Sequence, residues 1–166
     1  MTASELWVNS DGLEVRFGSE KSAKILGGET GLQGDSREVR LNILGVSVPA
    51  TDAPADKKIA IPSGAYIESC TLVVKTAFTS AGSATLDIGL MTDDNDGTYS
   101  TKDDDGIDAA IAKGTLVADA SIACNGALVG TTVTDANTLP MPISYGYGTA
   151  VFTAGEADLI IKYRLT

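Results

Sequence analysis

Apolar and polar residues alternate with a period of two along most of this chain. In Val39–Ile43 the odd positions are apolar, and in Ala84–Leu90 the even positions are apolar. Successive side chains of a strand point to opposite faces, so both segments are predicted to be strands with one buried face. Asp158–Leu165 alternates in the same way, and this pattern predicts a strand paired inside a sheet.

Two longer segments, Tyr66–Phe78 and Leu116–Cys124, are also predicted to be strands, separated from their neighbours by turns rich in Pro, Gly and Ser. The alternation places Cys70 on the apolar face of the first and Cys124 on the apolar face of the second. Glu68 falls on an apolar face too, which favours an edge or rim position over a catalytic acid.

A single segment, Asp104–Lys113, has helical spacing, with Ile107, Ala110 and Ile111 at i, i+3 and i+4 and a cation followed by glycine at its end. Strands separated by turns, with one such helix, predict an all-β fold. We expect a jelly-roll-like antiparallel β-sandwich with one short helix over residues 37–166. The predicted core consists of Leu41, Leu72, Val74, Leu86, Ile88, Ile122, Leu159 and Ile161.

Residues 1–36 have a different character. Leu13, Val15 and Phe17 alternate with charged residues as a strand does, but five glycines follow between Gly18 and Gly34, with little apolar surface to bury. The segment is therefore predicted to be an extended N-terminal arm without a core of its own. It either adds an edge to a sheet of its own sandwich or adds a strand to a neighbouring subunit.

The composition of the chain excludes several classes of function. A length of 166 residues suits one domain, and the net charge of −10 repels phosphate, so nucleic acid is not an expected partner. The chain has no histidine, which excludes imidazole catalysis and His-ligated metals; we expect no catalytic residue and no cofactor.

No apolar run is long enough for a membrane span, and no secretion signal is expected. The two cysteines are predicted to be buried free thiols rather than a disulfide.

An acidic segment between Asp93 and Asp108 raises the question of a cation site. Its seven carboxylates belong to Asp93, Asp94, Asp96, Asp103, Asp104, Asp105 and Asp108. Aligning Gly97 or Gly106 with the invariant glycine of a helix-flanked calcium loop places a threonine at the first ligand position. The segment is therefore predicted to be a solvated acidic loop, and no metal site is assigned. A divergent metal-assisted hydrolase built on these carboxylates stays open as an alternative.

Several segments resemble tailed-bacteriophage virion structural proteins of the capsid decoration, or cement, family. They are Trp7–Gly18 (WVNSDGLEVRFG), 27–29 (GGE), Ile61–Ile67 (IPSGAYI), Thr76–Thr79 (TAFT), Ala84–Gly89 (ATLDIG), Asp105–Ala110 (DGIDAA), Phe152–Glu156 (FTAGE) and Ile160–Tyr163 (IIKY). The segments are spread over nearly the whole chain, although each is short and rich in Gly, Ala and Thr.

The resemblance implies a non-enzymatic protein made in the host cytoplasm that binds the assembled shell on the outer capsid surface of the virion and stabilises it. Its partners would be the major capsid protein and further copies of itself in a homotrimer. The intersubunit contacts would be the matching arm residues, Trp7, Leu13, Val15, Arg16 and Phe17. The alternative is a phage tail or fibre module that binds host-surface glycans through Tyr145, Tyr147 and Tyr99.

Overall fold

The structure, a computed structural model, describes residues 6–8, 14–16, 36–55, 59–96 and 98–165. The chain forms two compact units, Met1–Asp35 and Ser36–Thr166. In the first unit, β1 (Leu6–Val8) and β2 (Glu14–Arg16) pair antiparallel in a two-stranded sheet of their own.

The described residues of the second unit form ten strands. They are β3 (Arg37–Leu44), β4 (Ala53–Pro54), β5 (Ala60–Ile61), β6 (Ala65–Ser80), β7 (Thr85–Asp93), β8 (Tyr99–Ala112), β9 (Ser121–Ala123), β10 (Thr132–Val133), β11 (Met141–Gly148) and β12 (Phe152–Leu165). Two single turns of 3-10 helix, Gly45–Ser47 and Lys113–Thr115, interrupt them. None of the helical turns in the described ranges is long and apolar enough to span a membrane.

The strands form two antiparallel sheets. The first sheet has the order β3-β12-β6, and both β9 and β10 pair with the free side of β6. The second has the order β8-β7-β11, and both β4 and β5 pair with β11. If β4 and β5 are counted as one interrupted strand, and β9 and β10 as another, the described part of the second unit has eight strands in chain order. In that count the first sheet has the order 1-8-3-6 and the second sheet has the order 2-7-4-5. That is the strand order of a jelly roll, and the predicted sandwich is confirmed.

The core lies between the two sheets and is made by the alternating positions that the sequence indicates. Of the eight residues predicted for it, seven are buried and Ile122 is half-buried at the margin. In β12, Leu159 and Ile161 are fully buried, whereas Leu165 is exposed. This strand lies between β3 and β6, so the expected pairing inside a sheet is confirmed.

A β-bulge in β6 explains the unusual position of Glu68. Lys162 pairs with Ser69 and Tyr163 with Ile67, so Glu68 is an extra residue without a partner on β12. The bulge reverses the alternation, so Ile67 rather than Tyr66 points into the core. Glu68 remains half-exposed and accepts a hydrogen bond of 2.7 Å from Ser36 Oγ.

The predicted helix over Asp104–Lys113 is wrong, because these residues belong to β8 and the 3-10 turn after it. Ile107 and Ile111 are both buried, but by a bulged strand. Ile88 pairs with Asp108 and Leu86 with Ile111, so two residues of β8 face one residue of β7. A spacing of four is two periods of a strand, so Ile107 and Ile111 do not distinguish a strand from a helix, and Ala110, the i+3 position of the predicted helix, is exposed.

The predicted strand over Leu116–Cys124 is much shorter than expected, since only Ser121–Ala123 is extended and paired. Asp119 adopts a positive φ of 64°, which ends any continuous strand through the segment. The two ends nevertheless point inward as predicted: Leu116 is fully buried and Cys124 is buried.

Candidate functional site

The arm residues assigned to partner binding are only partly within the described residues. Trp7 lies in β1, and Val15 and Arg16 lie in β2, where the register pairs Trp7 with Val15. Leu13 and Phe17 lie outside the described residues. The backbone therefore shows that Trp7 and Val15 occupy neighbouring positions of one hairpin.

Within the sandwich, exposed apolar side chains gather at one end, where β3, β6, β8 and β11 finish. Leu44, Val46, Val117 and Val151 are exposed by 43%, 65%, 51% and 50% respectively. Leu44 is the last residue of β3, and the three valines lie in the β3–β4, β8–β9 and β11–β12 connections, which the strand order brings to the same end. We call these four residues the apolar end.

Lys113 fixes two connections at the apolar end to each other. Its ammonium group donates hydrogen bonds to the carbonyl oxygens of Ser80 and Gly82, at 3.0 and 2.9 Å. Its main-chain N–H donates to Ala84 O at 2.9 Å. These bonds fasten the β6–β7 connection to the start of the β8–β9 connection, where Val117 remains exposed.

The opposite end carries the acidic β7–β8 turn, and its carboxylates are used to shape that turn. Asp93 Oδ1 accepts from the N–H of Asn95 at 2.9 Å, and Asp96 Oδ1 accepts from the N–H of Thr98 at 2.8 Å. Asp94 Oδ2 accepts from Ser100 Oγ at 2.7 Å. These side-chain bonds are typical of polar turns and give each carboxylate a structural role.

A polar network covers the outer face of the first sheet. Lys75 Nζ lies 2.8 Å from Asp158 Oδ1 and 3.3 Å from Glu156 Oε1. Asn42 Nδ2 donates to the same two carboxylates at 2.9 and 3.0 Å. The hydrogen bonds from Asn42 and Lys75 lower the pKa of Asp158 below its usual value. Three neighbouring strands are thereby linked on a face that meets water.

The outer face of the second sheet is strongly acidic. Asp52, Asp87 and Asp104 come from three different parts of the chain, and burial together with the charges of Asp104 and Asp87 raises the pKa of Asp52. Asp104 also belongs to a group with Asp103 and Asp105, whose carboxylate oxygens lie within 4.8 Å of one another. The sequence gives no sign that Asp52 meets Asp104, because no local pattern connects them.

The two cysteines are free and buried, as predicted. Cys124 follows β9 and donates its main-chain N–H to Cys70 O at 3.0 Å, so the residues are cross-strand neighbours. A hydrogen bond with Cys124, together with burial, raises the pKa of Cys70 far above that of a free thiol. The Cys70 thiol is therefore protonated and weakly reactive at neutral pH.

Tyr145 does not present an open ring. It is 9% exposed and packs in the core, and Tyr147 on the same strand is half-buried against that core. Burial alone raises the pKa of Tyr145, which agrees with a side chain removed from water. A sugar-binding platform needs a ring face open to solvent, so this geometry gives no support to the glycan alternative.

Comparison with known proteins identifies a fold but no family. No family model and no curated protein matches the chain. A chain in the cyanophage Pam1 capsid asymmetric unit is similar in structure, with a TM-score of 0.55 and 17% identity over 83% of this chain and 90% of that one. A chain in the capsid of Ralstonia phage GP4 is similar with a TM-score of 0.54 and 16% identity, over 83% and 89%. At such identities the likeness concerns the fold alone.

Proposed function

We propose that this chain is a capsid decoration, or cement, protein of a tailed phage, which binds the assembled shell from outside and reinforces it. The observation that carries the proposal is the structural likeness to chains of two phage capsids, over 83% of this chain and about nine-tenths of each of them. Such coverage means that the compared chains are similar in size as well as in fold. The virion segments that the sequence resembles point to the same class.

The charge supports a place outside the shell. The net charge is −10, and acidic groups cover both the β7–β8 turn and the outer face of the second sheet. Packaged DNA is a dense array of phosphates, so it repels a protein of this charge. The outer capsid surface of the virion avoids this repulsion.

The apolar end is the part of the sandwich best suited to contact the shell. Val46, Val117 and Val151 are at least half exposed, and each lies on a connection that contains a main-chain hydrogen bond of its own. Exposed apolar groups gathered in one patch are typical of interaction sites. The patch also lies away from the acidic β7–β8 turn, so a protein surface can approach it without burying those carboxylates.

The arm would connect copies of the protein. An arm without a core gains stability only by packing on another surface, and a hairpin carrying Trp7 opposite Val15 offers an aromatic anchor for one. Contacts repeated between identical chains close into rings, so a homotrimer on the threefold positions of the shell is the expected assembly. The major capsid protein is the other partner, and the role is structural rather than enzymatic.

Binding to phage shells assembled without this protein tests the proposal. We expect the full chain to sediment with the shells and to raise the temperature at which they break down. A Val46→Ser, Val117→Ser and Val151→Ser triple variant should lose binding, and the control Leu165→Ser, an exposed leucine at the other end, should keep it. Circular dichroism checks that each variant is folded. Failure of the full chain to bind shells would contradict the function itself.

Deletion of residues 1–36 tests the arm separately. The remaining sandwich should stay folded, because its core is made within Ser36–Thr166. It should lose trimer formation, measured by analytical ultracentrifugation, or shell binding. If the shortened chain assembles and binds as well as the full one, Trp7, Leu13, Val15, Arg16 and Phe17 are not the intersubunit contacts.

A further inference from the structure

The outer face of the second sheet has an arrangement of oxygen atoms that its acidity alone does not explain. Among the described residues, two buried side-chain oxygens lack a hydrogen-bond partner, Asp52 Oδ1 and Ser144 Oγ. A buried polar atom without a partner loses its hydrogen bonds to water and gains none in return, so such atoms are rare and call for an explanation. Both of these atoms lie on the outer face of the second sheet, Ser144 Oγ at one outward position of β11 and Asp52 Oδ1 over the next, Gly146.

Ser144 points toward this acidic face. Its neighbours on β11, Ile143 and Tyr145, have side chains in the core, so the alternation of a strand directs Ser144 outward. Its side chain is nevertheless completely shielded from solvent. Ser144 pairs with Gly89, and a Cβ at Gly89 would collide with the main-chain carbonyl groups of Asp103 and Asp104. The bulged part of β8 therefore passes over the row in which Ser144 lies.

Asp52 approaches the same place from the other side. Its carboxylate lies over Gly146, where a Cβ would collide with Oδ1, and the Asp104 side chain lies within hydrogen-bonding distance of it. Ser144 and Gly146 are successive outward positions of one strand. The hydroxyl of Ser144, the carboxylates of Asp52 and Asp104 and the main-chain carbonyl groups of Asp103 and Asp104 are thus placed on the same part of this sheet face.

We propose that the carboxylates of Asp52 and Asp104 and the hydroxyl of Ser144 bind a divalent cation of the calcium class. Calcium accepts six to eight oxygen ligands in flexible geometry, from carboxylates, carbonyls and waters. A cation gives Asp52 Oδ1 and Ser144 Oγ the partner that they lack. It also offsets the repulsion among Asp52, Asp87 and Asp104. The site is independent of the proposed capsid role.

Neighbouring acidic groups extend the site. The carboxylates of Asp103 and Asp105 lie beside that of Asp104 and add negative charge next to the ion. The ligands join the connection before β4, the centre of β11 and the bulge of β8, which are far apart in sequence. Bound calcium would therefore fasten the β8 bulge to the middle of its sheet and stabilise the fold.

Isothermal titration calorimetry of the full chain with CaCl₂, after removal of metals with EDTA, tests the proposal. We expect one ion per chain with a dissociation constant of about 10⁻⁴ to 10⁻³ M, as in extracellular calcium modules. At about 10 mM calcium the melting temperature should rise by about 3–11 °C. Absence of both signals would overturn the proposal.

Four variants locate the site. Asp52→Asn and Asp104→Asn should each weaken calcium binding by about tenfold or more, because each removes a charged ligand. Ser144→Ala should weaken it severalfold without harming the fold, since the hydroxyl has no protein partner to lose. Asp119→Asn makes the same charge change at an exposed position in the β8–β9 connection and should bind as the unchanged protein does.

The metal-free melting temperature separates lost binding from lost folding. Asp52→Asn removes a negative charge from beside Asp104 and Asp87, so this variant should melt at the same temperature as the unchanged protein, or higher, without calcium. A folded Asp52→Asn variant that still binds calcium with unchanged affinity would overturn the assignment. In that case the ion would belong to Asp103–Asp105 alone.

Discussion

Replacing Gly155 by alanine should be one of the most damaging single-methyl changes in the sandwich. Gly155 lies at a bulge of β12 with a φ of +133°, a conformation that is essentially restricted to glycine. A Cβ there would lie 2.7 Å from both Cδ atoms of the Phe78 ring. That ring stands edge-on to Phe152, at 5.2 Å between centroids and an angle of 81°, so it has little room to move.

The expected loss has two parts. Forcing a side chain into this backbone region costs about 1–3 kcal/mol. Overpacking against a fixed aromatic ring costs about 1–3 kcal/mol more. Together they should lower the free energy of unfolding by about 2–6 kcal/mol, a large part of the 5–15 kcal/mol that holds a typical domain folded.

Two other glycines separate these parts. Gly64 has a φ of +86°, at the third position of a turn closed by the 3.1 Å bond from the N–H of Ala65 to Pro62 O, and no atom would lie within 4 Å of its Cβ. Gly114 has open space and no positive φ. In urea unfolding followed by far-UV circular dichroism, Gly114→Ala should be nearly neutral, Gly64→Ala should cost about 1 kcal/mol and Gly155→Ala clearly more. Equal losses for Gly64→Ala and Gly155→Ala would refute the crowding argument.

Two further predictions concern titratable groups. Cys70 and Cys124 should react slowly with a thiol reagent in the native protein and both react fully after denaturation, as measured by intact mass; fast native labelling would contradict their burial. Hydrogen bonds from Asn42 and Lys75 lower the pKa of Asp158 in the folded protein. The contribution of Asp158 to stability is therefore present above the unfolded pKa of about 3.9, and it is lost as the pH falls through the lower pKa of the folded protein. Asp158→Asn should flatten the fall of melting temperature in that acid range, and an unchanged acid profile would contradict the role of this network.

The parts of the fold that the sequence predicts well are those where the strands are regular. Leu41 and Ile43 in β3, and Leu86 and Ile88 in β7, are buried at the positions that alternation indicates. A period of two carries this information directly, because one face of each strand meets the core. The strand order depends on long-range pairing and is fixed only by the packing of the two sheets.

Local departures from a regular strand account for the two wrong elements. Ala110 has a φ of +50°, and its N–H donates to Asp87 Oδ1 at 2.6 Å. This side-chain bond lies in the bulge between Asp108 and Ile111, within the segment predicted to be a helix. The positive φ of Asp119 ends the strand predicted over Leu116–Cys124. Periodicity counts positions along the chain and therefore does not reveal a bulge or a turn of this kind.

The candidate surfaces were harder to predict than the fold. Val46, Val117 and Val151 are single apolar residues in connections, and only the strand order reveals that they lie at one end. Asp52 and Asp104 are distant in sequence, and their approach depends on the β8 bulge passing over β7. A sequence motif contains residues that are close together along the chain, so the acidic segment between Asp93 and Asp108 gives no indication of Asp52.

The central position of β12 has a consequence for synthesis on the ribosome. β3 and β6 both take β12 as their neighbour, so neither gains this partner until residues as far as Leu165 have left the exit tunnel. Until then the nascent chain exposes strand edges that other chains can pair with. The first sheet is therefore completed only after β12 has been translated. Before that point, nascent chains that lie close together on one polysome can aggregate through their unpaired strand edges.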